Sequence, residues 1–317
     1  MKLWLALFLP LVAIGPTAAA LPPGPLAPKV GELRPGDWLW APSASPAGEV
    51  VAIISLPLQR VHIYRNGVLI GISTVSTGKP GHDTPTGVFT ILQKRAEHYS
   101  NLYNDAPMPH MQRLTWDGIA LHAGRLPGHP ASHGCIRLPD EFAARLFDVT
   151  TLGATVIVTS DNRLPRLTPR TDAAANLSRV GEHPVGGFWT PDAQPDGPVS
   201  IIVSATDETV RVIRGGVEIG GGPVGLGRPV TETEVHVLAS MDRARGRFDW
   251  RRIAMDDDDA SGQTDRESLT LSDQLRSNIA EILHVGATVV VTPDSLDGHL
   301  GAEFDILAPE TPTIRQD

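Results

Sequence analysis

A chain of 317 residues exceeds what one hydrophobic core usually spans, so two domains are the expectation. A formal net charge of -9 argues against a nucleic-acid partner, which needs a basic face to displace counterions. Hydrophobic content of 41% and charged content of 20% are those of a globular protein, and 5% aromatics leave the cores to Val, Ile, Leu and Ala.

In chain order, Lys2 and the apolar run Leu3–Ile14 precede Ala18-x-Ala20, which is the grammar of a secretory signal peptide. The run is well short of the ~20 residues that a stable membrane span needs, so a mature chain starting near Leu21 is expected. Residues 21–48 have the Pro, Ala and Gly composition of a linker, interrupted by Trp38 and Trp40 at strand spacing; these two are expected to pack an extended segment onto the following domain, with a sugar-binding role as the alternative.

Val50–Ser55 and Arg60–Arg65 are β-branched runs, and Asn66-Gly67 turns the second into Val68–Ser76. Asn-Gly tolerates the two positive φ angles of a type I′ turn, so an antiparallel meander is predicted. The loop Thr77–Gly87 leads into a strand over Val88–Leu92; Gln93–Trp116 has no clear period and reads as a loop or lid bordering a groove. Gly118–His122 is a short strand with Ile119 and Leu121 on one face and Ala120 and His122 on the other. Helical spacing over Asp140–Asp148 predicts a helix capped by Asp140, and Gly153–Thr159 a buried strand.

The only cysteine, Cys135, stands in Ser132-His133-Gly134-Cys135, close to His122, His129 and His133. An unpaired thiol in a secreted chain is open to oxidation, and Gly134 lets the backbone approach a ligand closely. Thiolate plus imidazole is an acyl-transfer pair.

The Gly78–Gly87 loop, the strand ending in His122 and the run Ser132–Leu138 together resemble the YkuD-type L,D-transpeptidases, secreted enzymes acting on peptidoglycan stem peptides. The resemblance implies Cys135 as nucleophile, His122 as the base that lowers its apparent pKa, and His133 as a second histidine shaping the site. It also implies the Ala123 backbone carbonyl as orienter of the base, the Gly134 and Cys135 N–H groups as oxyanion hole, and Arg137 and Ser132 as substrate-binding groups. No metal or cofactor is called for. The acyl-enzyme would release D-alanine and pass to an amine such as diaminopimelate. A lipoprotein or a D-amino acid is another acceptor, and the site would be periplasmic. Alternatives are an L,D-carboxypeptidase using water, a metal-dependent peptidase built on His122, His129, His133 and Cys135, and a non-catalytic peptidoglycan-binding protein.

The second half repeats the first. Gly197–Gly220 follows the pattern of Gly48–Gly71 at an offset of 149 residues, and Gly286–Thr292 that of Gly153–Thr159 at 133. The later offset puts Ser268 at Cys135, Arg266 at His133 and Asp265 at Ser132, so the copy lacks the nucleophile. Asp256–Asp259 reads as a solvated loop, with a calcium site as the alternative, and the second module is expected to pack on the first or to hold a glycan or partner. The expected fold is mainly β with short helices, in two tandem YkuD-like β-rich modules, the second degenerate. The expected organisation is a signal peptide (1–20), a linker (21–48), a catalytic domain (49–160), a linker (161–194), a degenerate non-catalytic repeat (195–296) and a C-terminal tail (297–317).

Overall fold

The computed structural model describes residues 33–100, 105–163, 165–168, 186–227, 229–254 and 269–296. The signal-peptide segment, the C-terminal tail, Asp256–Asp259, Asp265, Arg266 and Ser268 lie outside them. Among the described residues, no helix is long and apolar enough to cross a membrane.

The first module runs β1 (Trp38–Trp40), β2 (Val50–Ser55), β3 (Arg60–Arg65), β4 (Val68–Thr74), β5 (Gly87–Thr90), β6 (Gln93–Arg95), β7 (Met111–Arg113), β8 (Ala120–Ala123), β9 (Ile136–Leu138), α1 (Asp140–Val149) and β10 (Thr155–Thr159). One sheet has the order β1-β4-β3-β2-β10-β5, and a smaller one the order β6-β7-β8-β9. The meander β2-β3-β4 turns at Asn66 (φ 49°) and Gly67 (φ 75°), the two positive angles that Asn-Gly allows. β10 returns parallel to β2 after the crossover that carries the small sheet and α1. The core between large sheet and helix takes Val50, Ala52, Ile54, Phe89, Phe142 and Leu146.

The second module runs β11 (Arg166–Thr168), β12 (Phe188–Trp189), β13 (Val199–Ser204), β14 (Thr209–Arg214), β15 (Val217–Pro223), β16 (Gly225–Leu226), β17 (Glu234–Asp242), β18 (Arg247–Ala254), β19 (Leu269–Thr270), α2 (Asp273–Ile282) and β20 (Thr288–Thr292). Its eight-stranded sheet has the order β11-β18-β17-β20-β13-β14-β15-β12. The duplication holds to the residue. The parallel pair Val51↔Thr155 recurs as Ser200↔Thr288, and the register shift at Ile63/Tyr64 recurs at Val212/Ile213. The bridge Ser76↔Arg137 recurs as Gly225↔Thr270. Side-chain bonds repeat as well: Arg65 donates to Ser45 O at 3.0 Å and Arg214 to Gln194 O at 2.5 Å.

The two large sheets pack face to face. Val51, Ile53, Tyr64 and Ile157 of the first share one buried cluster with Ile202, Ile213, Val235 and Val290 of the second. At its centre Thr155 Oγ1 lies 2.7 Å from Ser200 Oγ and 3.0 Å from Thr288 Oγ1, its own counterpart, so the modules meet about a local pseudo-two-fold axis.

Within residues 21–48, β1 pairs with β4 and Trp40 packs edge-on against Phe142 at 5.5 Å between ring centroids, the extended packing expected of the two tryptophans. Two details differ from the sequence reading. Within 161–194, β11 and β12 each add a strand to the second sheet. Strands of two or three residues leave too little alternation to stand out from Pro- and Gly-rich neighbours. Finally, Pro139 occupies the N-cap of α1 with no side-chain cap bond, and Asp140 is the first helical residue.

A chain ending at Asp161 would expose Val51, Ile53, Leu69, Ile72, Val88 and Ile157 as one apolar face. Such a truncation is expected to self-associate and bind a hydrophobic dye; size-exclusion chromatography checks this, and a monodisperse, dye-free monomer would contradict it.

Candidate active site

The site forms where β8 and β9 run parallel. Leu121 pairs with Ile136 and His122 with Arg137, so Cys135, one residue before β9, comes opposite Ala120. Leu121 and Ile136 point into the core, which leaves Ala120, His122, Cys135 and Arg137 together on the other face. Cys135, His122, His133, Arg137, Ser132 and Gly118 all line one cavity of about 730 Å³. Ser100 and residues 106–109 close another of its walls, as the lid reading of Gln93–Trp116 expected, although that stretch also contains β6 and β7.

His122 is buried, and its Nδ1 lies 2.7 Å from Ala123 O. A carbonyl can only accept, so Nδ1 carries the proton and Nε2 keeps a free lone pair. Burial first, then the charges of Arg137 and His98, hold His122 down at about 4 against the opposing pull of that carbonyl; the ring is neutral at pH 7. The Cys135 thiol donates to Gly118 O at 3.4 Å and packs against Met108, Met111 and Ala120. Burial pushes the thiol above its ordinary value, with the Ala120 backbone bond and Arg137 pulling the other way. The expectation that the base lowers the thiol's pKa is therefore reversed in this state: two desolvated groups both rest neutral.

The turn that carries Cys135 is stitched from both sides. Ser132, 1% exposed, donates from Oγ to Cys135 O at 2.5 Å and accepts from Gly134 N at 3.1 Å. Its hydroxyl is thus committed to its own turn rather than presented to substrate. The Gly134 N–H is likewise spent, which removes one of the two expected oxyanion donors and leaves that of Cys135. Gly134 adopts φ +112°, where a Cβ would also lie 2.7 Å from Ile119 Cδ1. His133 is exposed and sits edge-to-face on His82, ring centroids 4.6 Å apart. The Arg137 stem packs beside Gly124, and among the described residues no carboxylate pairs with its guanidinium.

Sequence reasoning missed Gly118, whose carbonyl holds the thiol, and Thr84, which bonds Gly134 O at 2.7 Å. Thr84 stands in the Gly78–Gly87 loop, where turn chemistry alone accounts for every Gly and Pro. For the metal alternative, His129 turns Nδ1 to its neighbour Pro130 O at 3.0 Å, and among the described residues no three His, Cys, Asp or Glu side chains converge as ligands.

Residues 49–158 match the family model for YkuD, the L,D-transpeptidase catalytic domain. The first module is a YkuD-type domain. L,D-transpeptidase 1 of Mycobacterium tuberculosis is 28% identical over a match covering 33% of this chain and 48% of that protein, so the chain spans about half the length of this curated relative. Among solved structures, an L,D-transpeptidase from Mycobacterium smegmatis is 26% identical, with a TM-score of 0.34 over 36% of this chain and 59% of that one. An L,D-transpeptidase solved in complex with imipenem is 25% identical, with a TM-score of 0.33 over 35% and 58% of the respective chains.

Burial also fixes a pH dependence. His122 and His62 titrate near 6.5 in an unfolded chain and at about 4 in the folded one, so between these values the unfolded state binds more protons. Their contribution is complete above pH 6.5 and is lost as pH falls toward 4, about 3 kcal/mol of it from His122. Denaturant unfolding at pH 7 and pH 4.5 is expected to show this loss, and His122→Gln to diminish it; an unchanged pH slope in the variant would contradict the assignment.

Proposed function

We propose that the first module is a cysteine acyltransferase acting on peptidoglycan stem peptides, an L,D-transpeptidase. The observation that carries this reading is a histidine with its Nδ1 tied to a backbone carbonyl and its Nε2 free, on the same face and in the same cavity as the chain's only thiol.

In this reading Cys135 Sγ attacks the carbonyl at the L-centre of diaminopimelate while His122 Nε2 takes the thiol proton. The Cys135 N–H steadies the oxyanion, and the proton then passes from His122 to the departing D-alanine amine. An acceptor amine attacks the thioester next, with His122 again as base, and the amide formed is the cross-link. A neutral His122 is in the state needed to accept a proton near pH 7. Arg137 faces the cavity with a guanidinium suited to a stem-peptide carboxylate. The N-terminal signal grammar supports export to the periplasm. The second module, which contains no cysteine, serves as the partner layer for the first sheet rather than as a second catalyst.

Incubation with imipenem followed by intact mass is expected to show one adduct on the wild-type protein and none on Cys135→Ala. Incubation with tetrapeptide muropeptides is expected to give cross-linked products with loss of D-alanine. Retained turnover in Cys135→Ala would overturn the reading, and tripeptide products without cross-links would identify water as the acceptor.

A further inference from the structure

We propose that Thr84 is a positioning residue that aims the oxyanion donor: its hydroxyl holds the plane of the Gly134–Cys135 peptide and thereby the direction of the Cys135 N–H. The inference rests on the acyl-transfer reading above, since it concerns a group that matters only when a tetrahedral oxyanion forms.

Thr84 is buried, 4% exposed, and lies outside the cavity lining. Its Oγ1 accepts from Gly78 N at 2.8 Å and donates its single hydrogen to Gly134 O at 2.7 Å. The described backbone contains no cis peptide, so the Gly134–Cys135 unit is planar and trans, with C=O and N–H pointing in opposite directions. Drawing the Gly134 carbonyl onto Thr84 therefore turns the Cys135 N–H away from Thr84. The hold has to come from outside, because Gly134 has no Cβ to restrict its own rotation. Ser132 fixes the next peptide through Cys135 O, so the two hydroxyls set the planes on either side of the nucleophile. A hole of two donors could tolerate a misaimed one. Here the Gly134 N–H is already committed to Ser132, and the aim of the remaining donor decides how much it contributes.

The surrounding loop does not depend on Thr84 alone. Lys79 N donates to Ser132 O at 3.1 Å, and Ala131 N and Ser132 N donate to Thr77 O at 2.9 and 3.0 Å. Thr84→Val keeps the side-chain shape and removes both hydroxyl bonds, whereas Thr84→Ser keeps them.

The test compares two reactions of the same sulfur in the full chain. Acylation by imipenem, followed by intact mass, passes through an oxyanion; alkylation by iodoacetamide displaces iodide and needs none. For Thr84→Val, acylation is expected to slow roughly 10- to 100-fold while alkylation stays within about twofold of wild type, and Thr84→Ser is expected to restore acylation. Parallel loss of both reactions would overturn the inference, because Thr84 would then merely hold the sulfur in place. Unchanged acylation in Thr84→Val would overturn it too. A wild-type protein that alkylates but never acylates would instead reject the acyl-transfer reading, and this inference with it.

Discussion

The contact between the two large sheets is the constraint from which the architecture follows. β2 is buried at all six of its positions, with Val50, Ala52 and Ile54 in the core under α1 and Val51 and Ile53 in the cluster between the sheets. A strand apolar on both faces needs a layer on each side, and the first module supplies only one of them. The second sheet is the other. Each side chain buried there contributes on the order of 2 kcal/mol, so neither half has reason to exist alone in water.

Duplication explains how such a partner arises and how it has diverged. Registers, a bulge and an arginine-to-carbonyl clasp are kept wherever they build the sheet and the shared face. The middle is not kept. Between β5 and α1 the first module inserts the small sheet that carries the site; at the corresponding place the second forms the long β17–β18 hairpin, which widens the main sheet instead. Within one repeat, the parts that build the shared face are alike in the two copies and the part that carries the site is not.

What could be read from the sequence follows the same division. The β-branched runs, the Asn66-Gly67 turn, the α1 periodicity and the two offsets announced the sheets and the repeat, because each is local and periodic. Packing of the second module on the first is among the expectations from sequence, but which faces meet is not legible, since Val51 and Ile53 look the same in sequence whichever layer covers them. Strands as short as β6, β11 and β12 are fixed by their partners rather than by their own residues. At the site, Cys135, His122 and the Ala123 carbonyl could be named from the motif. The bonds made by Thr84 and Ser132 could not, because they join segments 50 residues apart or fold a turn back on itself.

The resting state of the site follows from its burial. The sulfur sits beside Met108 and Met111 with its hydrogen on a carbonyl, and the imidazole is too dry to hold a second proton. An ion pair formed in advance would place two charges in that environment without an oxyanion or a departing amine to offset them. Keeping the thiol protonated also slows its oxidation, which depends on thiolate character and exposure, so a solitary cysteine can persist without a disulfide partner. In the acyl-transfer reading proposed above, charge would develop only when a substrate carbonyl comes within reach, and Ser132 and Thr84 already fix the planes of the turn that would meet it.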